Sequence, residues 1–161
     1  MPASQCVAPS IVVRTAAVIF RGEFILLHRR RGEAIWALPG GTVELGESSQ
    51  SAVVRELREE LGEQLHVQRL VFLVENGFAH QGQQHHELGL YYLGSFEERA
   101  AVNFKTDAFA GYEPAADLEF RWFSQQELGG LDLRPSFLTS ALANTPLEFR
   151  HVVVGLAGTE V

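Results

Sequence analysis

Arg55, Glu56, Glu59 and Glu60 stand in the run Ser49 to Leu61, SQSAVVRELREEL, where apolar residues recur at helical spacing. At about 100° per residue, Val53, Val54, Leu57 and Leu61 fall in one arc, which predicts the core face. Arg55, Glu56, Glu59 and Glu60 fall together on the other side, facing away from that core. Glu56 and Glu60 are at i,i+4, a spacing at which like charges cost about a few tenths of a kcal/mol in an isolated helix. The acids also occupy the second half of the helix, where the macrodipole favours cations. One reading is a solvated acidic face softened by Arg55 and Arg58. The other is a cation site, because convergent carboxylates beside the diglycine Gly40-Gly41 suit a hard divalent ion such as Mg2+, which takes carboxylates, carbonyls and retained waters.

The elements that must hold these residues are readable around them. Ile11 to Phe20 (IVVRTAAVIF) is β-branched and apolar, Arg21-Gly22-Glu23 supplies a turn, and Phe24 to His28 continues as a second strand of a hairpin. Trp36-Ala37-Leu38 is a short apolar segment stopped by Pro39-Gly40-Gly41. Ser48 or Ser49 can cap the acidic helix, and Gly62 stands where a left-handed residue ends one. Leu65 to Glu75 and Glu87 to Phe96 read as strands, with the His-rich stretch His80 to His86 as a long hairpin loop between them. Asn103 to Asp117 reads as a second long loop, Leu118 to Phe123 as a final core strand, Ser124 to Leu128 as a short capped helix, and Arg134-Pro135 as the opening of a last helix to about Ala143. No linker or repeat divides the chain, so a single domain over residues 1–161 is expected, with a loose N-terminus at about residues 1–9.

Composition limits what such a site could serve. With 161 residues, 46% of them apolar, the chain has the size and balance of one soluble domain. Thirteen Lys and Arg against 20 Asp and Glu give a net charge of -7, which repels duplex nucleic acid and anionic membrane. A polyanionic small molecule would have to be met by local charge or by a metal. The longest apolar runs are strand-sized, the first ten residues lack the pattern of a signal peptide, and the lone Cys6 permits no internal disulfide. These features predict a cytoplasmic protein.

The run from Gly41 to Glu63, GTVELGESSQSAVVRELREELGE, closely resembles the Nudix hydrolase box, G-x5-E-x7-R-E-U-x-E-E-x-G-U with U apolar. Gly41, Glu47, Arg55, Glu56, Leu57, Glu59, Glu60 and Gly62 match in register; polar Glu63 departs from the apolar residue usual at the last position. The resemblance extends through Trp36 to Gly41 and to Arg121-Trp122-Phe123. It implies an α/β (α+β) fold, an α/β/α sandwich with a central mixed β-sheet, and hydrolysis of a nucleoside diphosphate linked to another moiety with Mg2+ or Mn2+. It further implies Glu56 and Glu60 as principal metal ligands, Glu59 as a further ligand or water holder, the Gly40 carbonyl as a backbone ligand, and Glu47 paired with Arg55 to hold the loop. Bound cations would neutralise phosphate charge and lower the pKa of a water attacking phosphorus. The resemblance leaves the general base open between Glu56, at the box position, and an acid on a loop outside the box; Glu113, Asp117 and Glu119 could each supply it or a further ligand. Homodimers are common in the family.

Outside the box, Arg29, Arg30 and Arg31 could contact substrate phosphates through bidentate guanidinium pairing or form a solvated strand end. Trp36, Phe78, Tyr91, Phe104, Phe109 and Tyr112 could stack a base or fill the core, and Phe109 and Tyr112, in the polar loop, are the candidates for stacking. His80, His85 and His86 with Glu87 match no zinc spacing, and Cys6 has no partner base; neither is assigned a site. An alternative on the same fold is a nucleotide-binding sensor without turnover, for which loss of box acids would be expected. An isomerase of small diphosphates lacks a catalytic Cys.

Overall fold

The β-branched run that opens the chain forms the central strand, and the rest of the molecule is assembled on its two faces. In the computed structural model, which describes residues 10–156, β1 (Ile11–Arg21) turns through Gly22 and Glu23 into β2 (Phe24–Arg30). The expected loose N-terminus and Cys6 lie outside the described residues. Alternation along β1 sends Ala16 and Val18 into one apolar cluster, with Trp36, Leu38, Phe72 and Leu138, and Ala17 and Ile19 into another, with Val53, Leu57 and Phe120.

Beyond their shared turn β1 and β2 separate, and the chain passing through Trp36 fills the gap. β3 (Ile35–Trp36) leads to β4 (Gly40–Thr42), which pairs antiparallel with Arg14 to Ala16. Ala17 donates to the Pro39 carbonyl at 2.8 Å, and Ala37 exchanges both backbone bonds with His28. A side chain on Gly40 would overlap the Thr15 carbonyl oxygen, so the wedge needs glycine there.

The acidic helix, α1 (Ser49–Leu61), follows with the predicted ends: the Ser48 hydroxyl accepts from the Ser51 N–H, and Gly62 is left-handed with φ 72°. Long strands β5 (His66–His80) and β6 (Gln83–Ser95) come next, then β7 (Phe109–Ala110), β8 (Leu118–Ser124), β9 (Asp132–Leu133), α2 (Leu138–Ala141) and β10 (Arg150–Val154). The main sheet runs β10-β5-β6-β1-β2-β8-β7 with β4 added beside β1. It is mixed, since β1 with β6 and β5 with β10 are parallel and the other pairs antiparallel. No helix among the described residues is long and apolar enough to cross a membrane.

Four sequence expectations change. His80 to His86 is not a long loop: β5 and β6 continue as a ladder to His80 and Gln83, closed by Gln81 and Gly82, both at positive φ. Their tip runs past the end of β1, which begins opposite His86, and this explains its polar composition. The segment 103–117 contains two 3-10 turns and the short β7 instead of unbroken loop. Leu118 to Phe123 is not the last strand, because β9 and the valine-rich β10 follow. The last helix is a single turn, since Leu138 and Thr139 donate to Pro135 and Ser136 at i+3 spacing, which puts a tighter turn where the first helical turn was expected.

Candidate active site

The N-terminal half of α1 is fixed to the sheet by polar as well as apolar contacts. Ala52, Val53 and Leu57 are buried on the Ala17 face of β1. The Thr15 hydroxyl, 1% exposed, donates to the Ser49 carbonyl at 3.0 Å, and the Ser49 hydroxyl meets the Tyr92 hydroxyl at 2.7 Å. This anchoring sets the direction in which the C-terminal half presents its acids.

Arg55 is the hub of that half. It donates to both Glu47 oxygens (2.6 and 3.2 Å), to Glu56 at 2.9 Å, to Glu59 at 3.4 Å and to the Thr42 carbonyl at 3.1 Å. The Glu44 N–H also donates to Glu47. These bonds hold the Glu47 carboxyl below the usual range, with Arg55 the larger cause, and hold the Arg55 guanidinium above its own. The loop from Thr42 to Ser48 is thereby tied to the helix. Glu56 lies against Gly41 so closely that a Cβ at Gly41 would fall inside its carboxyl group.

Glu60 departs from expectation. It does not face solvent but is 7% exposed, turned into the space between α1, Gly40 and His28. The wedge through Gly40 and the end of β2 roof the helix there, which helical spacing alone does not reveal. Its carboxyl is pushed up to about 8 by burial first and then by the Glu56 and Glu59 charges, opposed by Arg14 and by the Gly40 N–H. Oε2 of Glu60 and Nδ1 of His28 are both enclosed without a hydrogen-bond partner. The His28 ring, pushed down to about 4 chiefly by burial, is neutral near pH ~7, so its 3.8 Å approach to Glu60 is not an ion pair.

An enclosed carboxylate oxygen with no donor, two further carboxylates close enough to raise its pKa, and a glycine that leaves room for one of them are chemically suited to a divalent cation. Glu56 and Glu59 are turned toward Arg55. Among the described residues no three His, Cys, Asp or Glu side chains already converge on one point, so binding would require their carboxylates to swing.

On the other face of the sheet lies a cavity of about 550 Å³, with Ala16, Leu38 and Leu138 among its apolar lining and Arg14, Asn76 and Glu87 among its polar lining. Phe78, stacked on His85 at 5.1 Å, and Tyr91 add aromatic walls. Arg14 joins the two regions: it lines the cavity, and its charge acts on Glu60 and His28.

Of the residues read as substrate contacts, Arg29 is bound to Glu119 at 2.8 Å and lies over Trp36, and Arg31 pairs with Asp117 at 3.2 Å, while Arg30 is exposed. Phe109 stacks on Phe120 in the core. Tyr112 is exposed on the C-terminal side of α1, its N–H donating to the Glu60 carbonyl. None of these five lines the cavity. Arg14, Asn76 and Glu87 carry no sequence motif, although Arg14 is a charged residue inside the mostly apolar run Ile11 to Phe20 and stands two positions from Ala16, on its face.

The family profile described as NUDIX domain matches residues 11–141; the chain belongs to this family. Among curated relatives, the putative ADP-ribose pyrophosphatase YjhB of Bacillus subtilis (strain 168) is 37% identical over 79 residues, 48% of this chain and 37% of the relative. CTP pyrophosphohydrolase of Escherichia coli (strain K12) is 49% identical over 51 residues, 29% of this chain and 38% of the relative. The matches therefore span little more than a third of these relatives' length. An ADP-ribose pyrophosphatase structure from Streptococcus suis 89-1591 superposes with TM-score 0.59 at 21% identity, covering 89% of this chain and 99% of that chain. A NUDIX hydrolase from Nitrosomonas europaea gives 0.63 at 18% identity, covering 91% and 80%. At such identities the likeness shows the fold.

Proposed function

We propose that this protein is a pyrophosphohydrolase, dependent on Mg2+ or Mn2+, that cleaves the phosphoanhydride of a nucleoside diphosphate linked to another moiety. The observation that carries the reading is Glu60, a buried carboxyl whose second oxygen has no partner and whose neighbours are two more carboxylates. Such a group is costly to a metal-free fold and is accounted for by a cation.

Glu56 and Glu60 are the principal ligands in this reading, with Glu59 and the Gly40 carbonyl completing the protein's share. When bound, the ion neutralises phosphate charge and makes a coordinated water more acidic. Glu47 and Arg55 keep the Gly40 to Ser48 loop in register with the helix, so that the ligands from loop and helix stay together. Arg14, lying between cavity and carboxylates, holds a substrate phosphate in place of the expected Arg29 to Arg31. The cavity takes the nucleoside and shields it from water. Asp117 and Glu119 are occupied by Arg31 and Arg29, as Glu56 is by Arg55; Glu56, on the carboxylate helix beside Glu60, is the group that in this reading accepts the proton of the attacking water.

A panel of nucleoside triphosphates, ADP-ribose, nucleotide sugars and dinucleoside polyphosphates, incubated with and without Mg2+ and resolved by mass, tests the reading. Metal-dependent release of a nucleoside monophosphate or phosphate ester is the expected result. Tight nucleotide binding with no turnover of any compound would point instead to a sensor.

A further inference from the structure

Three polar side chains on the wall of the 550 Å³ cavity are left without close partners, and their chemistry is specific. Asn76 and Glu87 are directly opposed across the β5–β6 ladder. Tyr91 follows Glu87 at alternate positions and lines the same cavity. The Asn76 carboxamide makes no side-chain hydrogen bond among the described residues. The Glu87 carboxylate, 22% exposed, has Arg14 at 4.0 Å, beyond hydrogen-bond reach. The rest of the wall is mixed, with Ala16, Leu38 and Leu138 apolar and His28, Arg134 and Ser136 polar. A carboxylate only accepts hydrogen bonds, so with Arg14 beyond hydrogen-bond reach Glu87 is matched by a ligand with donors to give.

The geometry points to a guanine-reading site: Glu87 accepts two adjacent N–H groups from the base of a guanosine 5′-phosphate derivative, while Asn76 donates to its carbonyl. The inference rests on the proposed pyrophosphohydrolase reading and names its substrate class. Among the common bases, guanine alone presents a ring N–H beside an exocyclic amine, a pair that matches both oxygens of a carboxylate. Adenine and cytosine set a ring nitrogen lone pair beside their amine, and uracil flanks its single N–H with two carbonyl oxygens; each would face the carboxylate with like charge. The amide of Asn76, next to Glu87 across the ladder, can meet the O6 acceptor that adjoins the guanine N–H. Phe78, on the same strand face as Asn76 and backed by His85, supplies an aromatic surface at the rim. Arg14, between this wall and Glu60, lies on the path a 5′-phosphate chain would take toward the carboxylate helix.

The test compares kcat/KM for GTP, ITP and ATP in wild type, Glu87→Gln and Asn76→Ala, with melting curves to show that each variant is folded. ITP keeps the ring N–H and the carbonyl of guanine but lacks the amine. A bidentate base contact discriminates by about tenfold or more, so wild type should prefer GTP over ATP by at least that factor, with ITP between them. Glu87→Gln, which offers one acceptor and one donor, should bring GTP and ITP together and lower the GTP/ATP ratio. A mere loss of charge near Arg14 would slow all three substrates alike. Calorimetric binding of GMP against AMP, measured in metal-free buffer, gives a readout separate from turnover. GMP bound in preference to AMP with no hydrolysis of any triphosphate, nucleotide sugar or dinucleoside polyphosphate would sink the hydrolase reading and leave this inference standing. Hydrolysis with no preference for guanine, or a preference unchanged in Glu87→Gln, overturns the inference and leaves the hydrolase reading intact.

Discussion

Replacing Glu60 with Gln should move stability and metal binding in opposite directions. The folded carboxyl titrates at about 8 against an ordinary value of 4.5, so the unfolded chain gives up its proton first. Between those values the native state holds more protons than the unfolded state, and stability falls as pH rises. The cost is absent below the unfolded value and complete above the folded one. At about 1.4 kcal/mol per pH unit, the gap bounds it at roughly 5 kcal/mol, and relaxation around a buried group brings the expectation to a few kcal/mol. Gln is nearly isosteric and stays neutral. In EDTA, Glu60→Gln should therefore match wild type near pH ~5 and melt higher near pH ~8.5, by roughly 5–15 °C at about 2–4 °C per kcal/mol for a chain of this size. With Mg2+ in excess the order should narrow or reverse, because ligand stabilisation grows with [L]/Kd and only wild type retains the full ligand set. Thermal unfolding of both proteins at the two pH values, with EDTA or Mg2+, reads all of this. Equal pH dependence of the two proteins in EDTA would refute the reasoning, since it would mean that Glu60 is ionised in the fold at no cost.

Gly41→Ala places a methyl group within the present position of the Glu56 carboxyl; the side chain can swing aside, so turnover should drop by about tenfold or more while melting shifts little, read by steady-state kinetics beside calorimetry. Arg55→Lys loses the forked contacts to Glu47, Glu56 and Thr42 and should lower stability by about 1–3 kcal/mol, measured by urea unfolding. Phe109→Ala opens the stack on Phe120 and should destabilise by about 3 kcal/mol without raising KM. Tyr112→Ala should leave both melting temperature and KM nearly unchanged; a KM rise in either aromatic variant would return that residue to the substrate site.

The carboxylate helix was legible because each of its features is local: a serine cap, a glycine stop and apolar residues at helical spacing. The mixed-sheet fold class followed from the resemblance of the Gly41 to Glu63 run, whereas the hairpin of β1 and β2 was legible for the same reason as the helix. The environment of Glu60 was not, because its burial comes from Gly40 and His28, which are near it only after the wedge chain passes between β1 and β2. The extension of β5 and β6 to a two-residue turn was hidden by polar residues on strands that outrun the sheet, where alternation no longer marks a core face. Arg29 and Arg31 read as free cations because their partners, Glu119 and Asp117, arrive from β8 and the turn before it. Cavity residues Arg14, Asn76 and Glu87 come from three strands, and only the register of β1 beside β6 and β6 beside β5 brings them together.

The central claim is that the carboxylates of α1 carry metal-dependent cleavage of a phosphoanhydride. Its most direct test is nucleotide hydrolysis by wild type and Glu56→Gln side by side, with Mg2+ or EDTA, in oxygen-18 water with products resolved by mass. The account predicts turnover by wild type only with Mg2+, one heavy oxygen entering a product phosphate, and a loss of about a thousandfold or more in Glu56→Gln from a protein that melts like wild type. Undiminished hydrolysis by Glu56→Gln, or equal rates in EDTA, would contradict it.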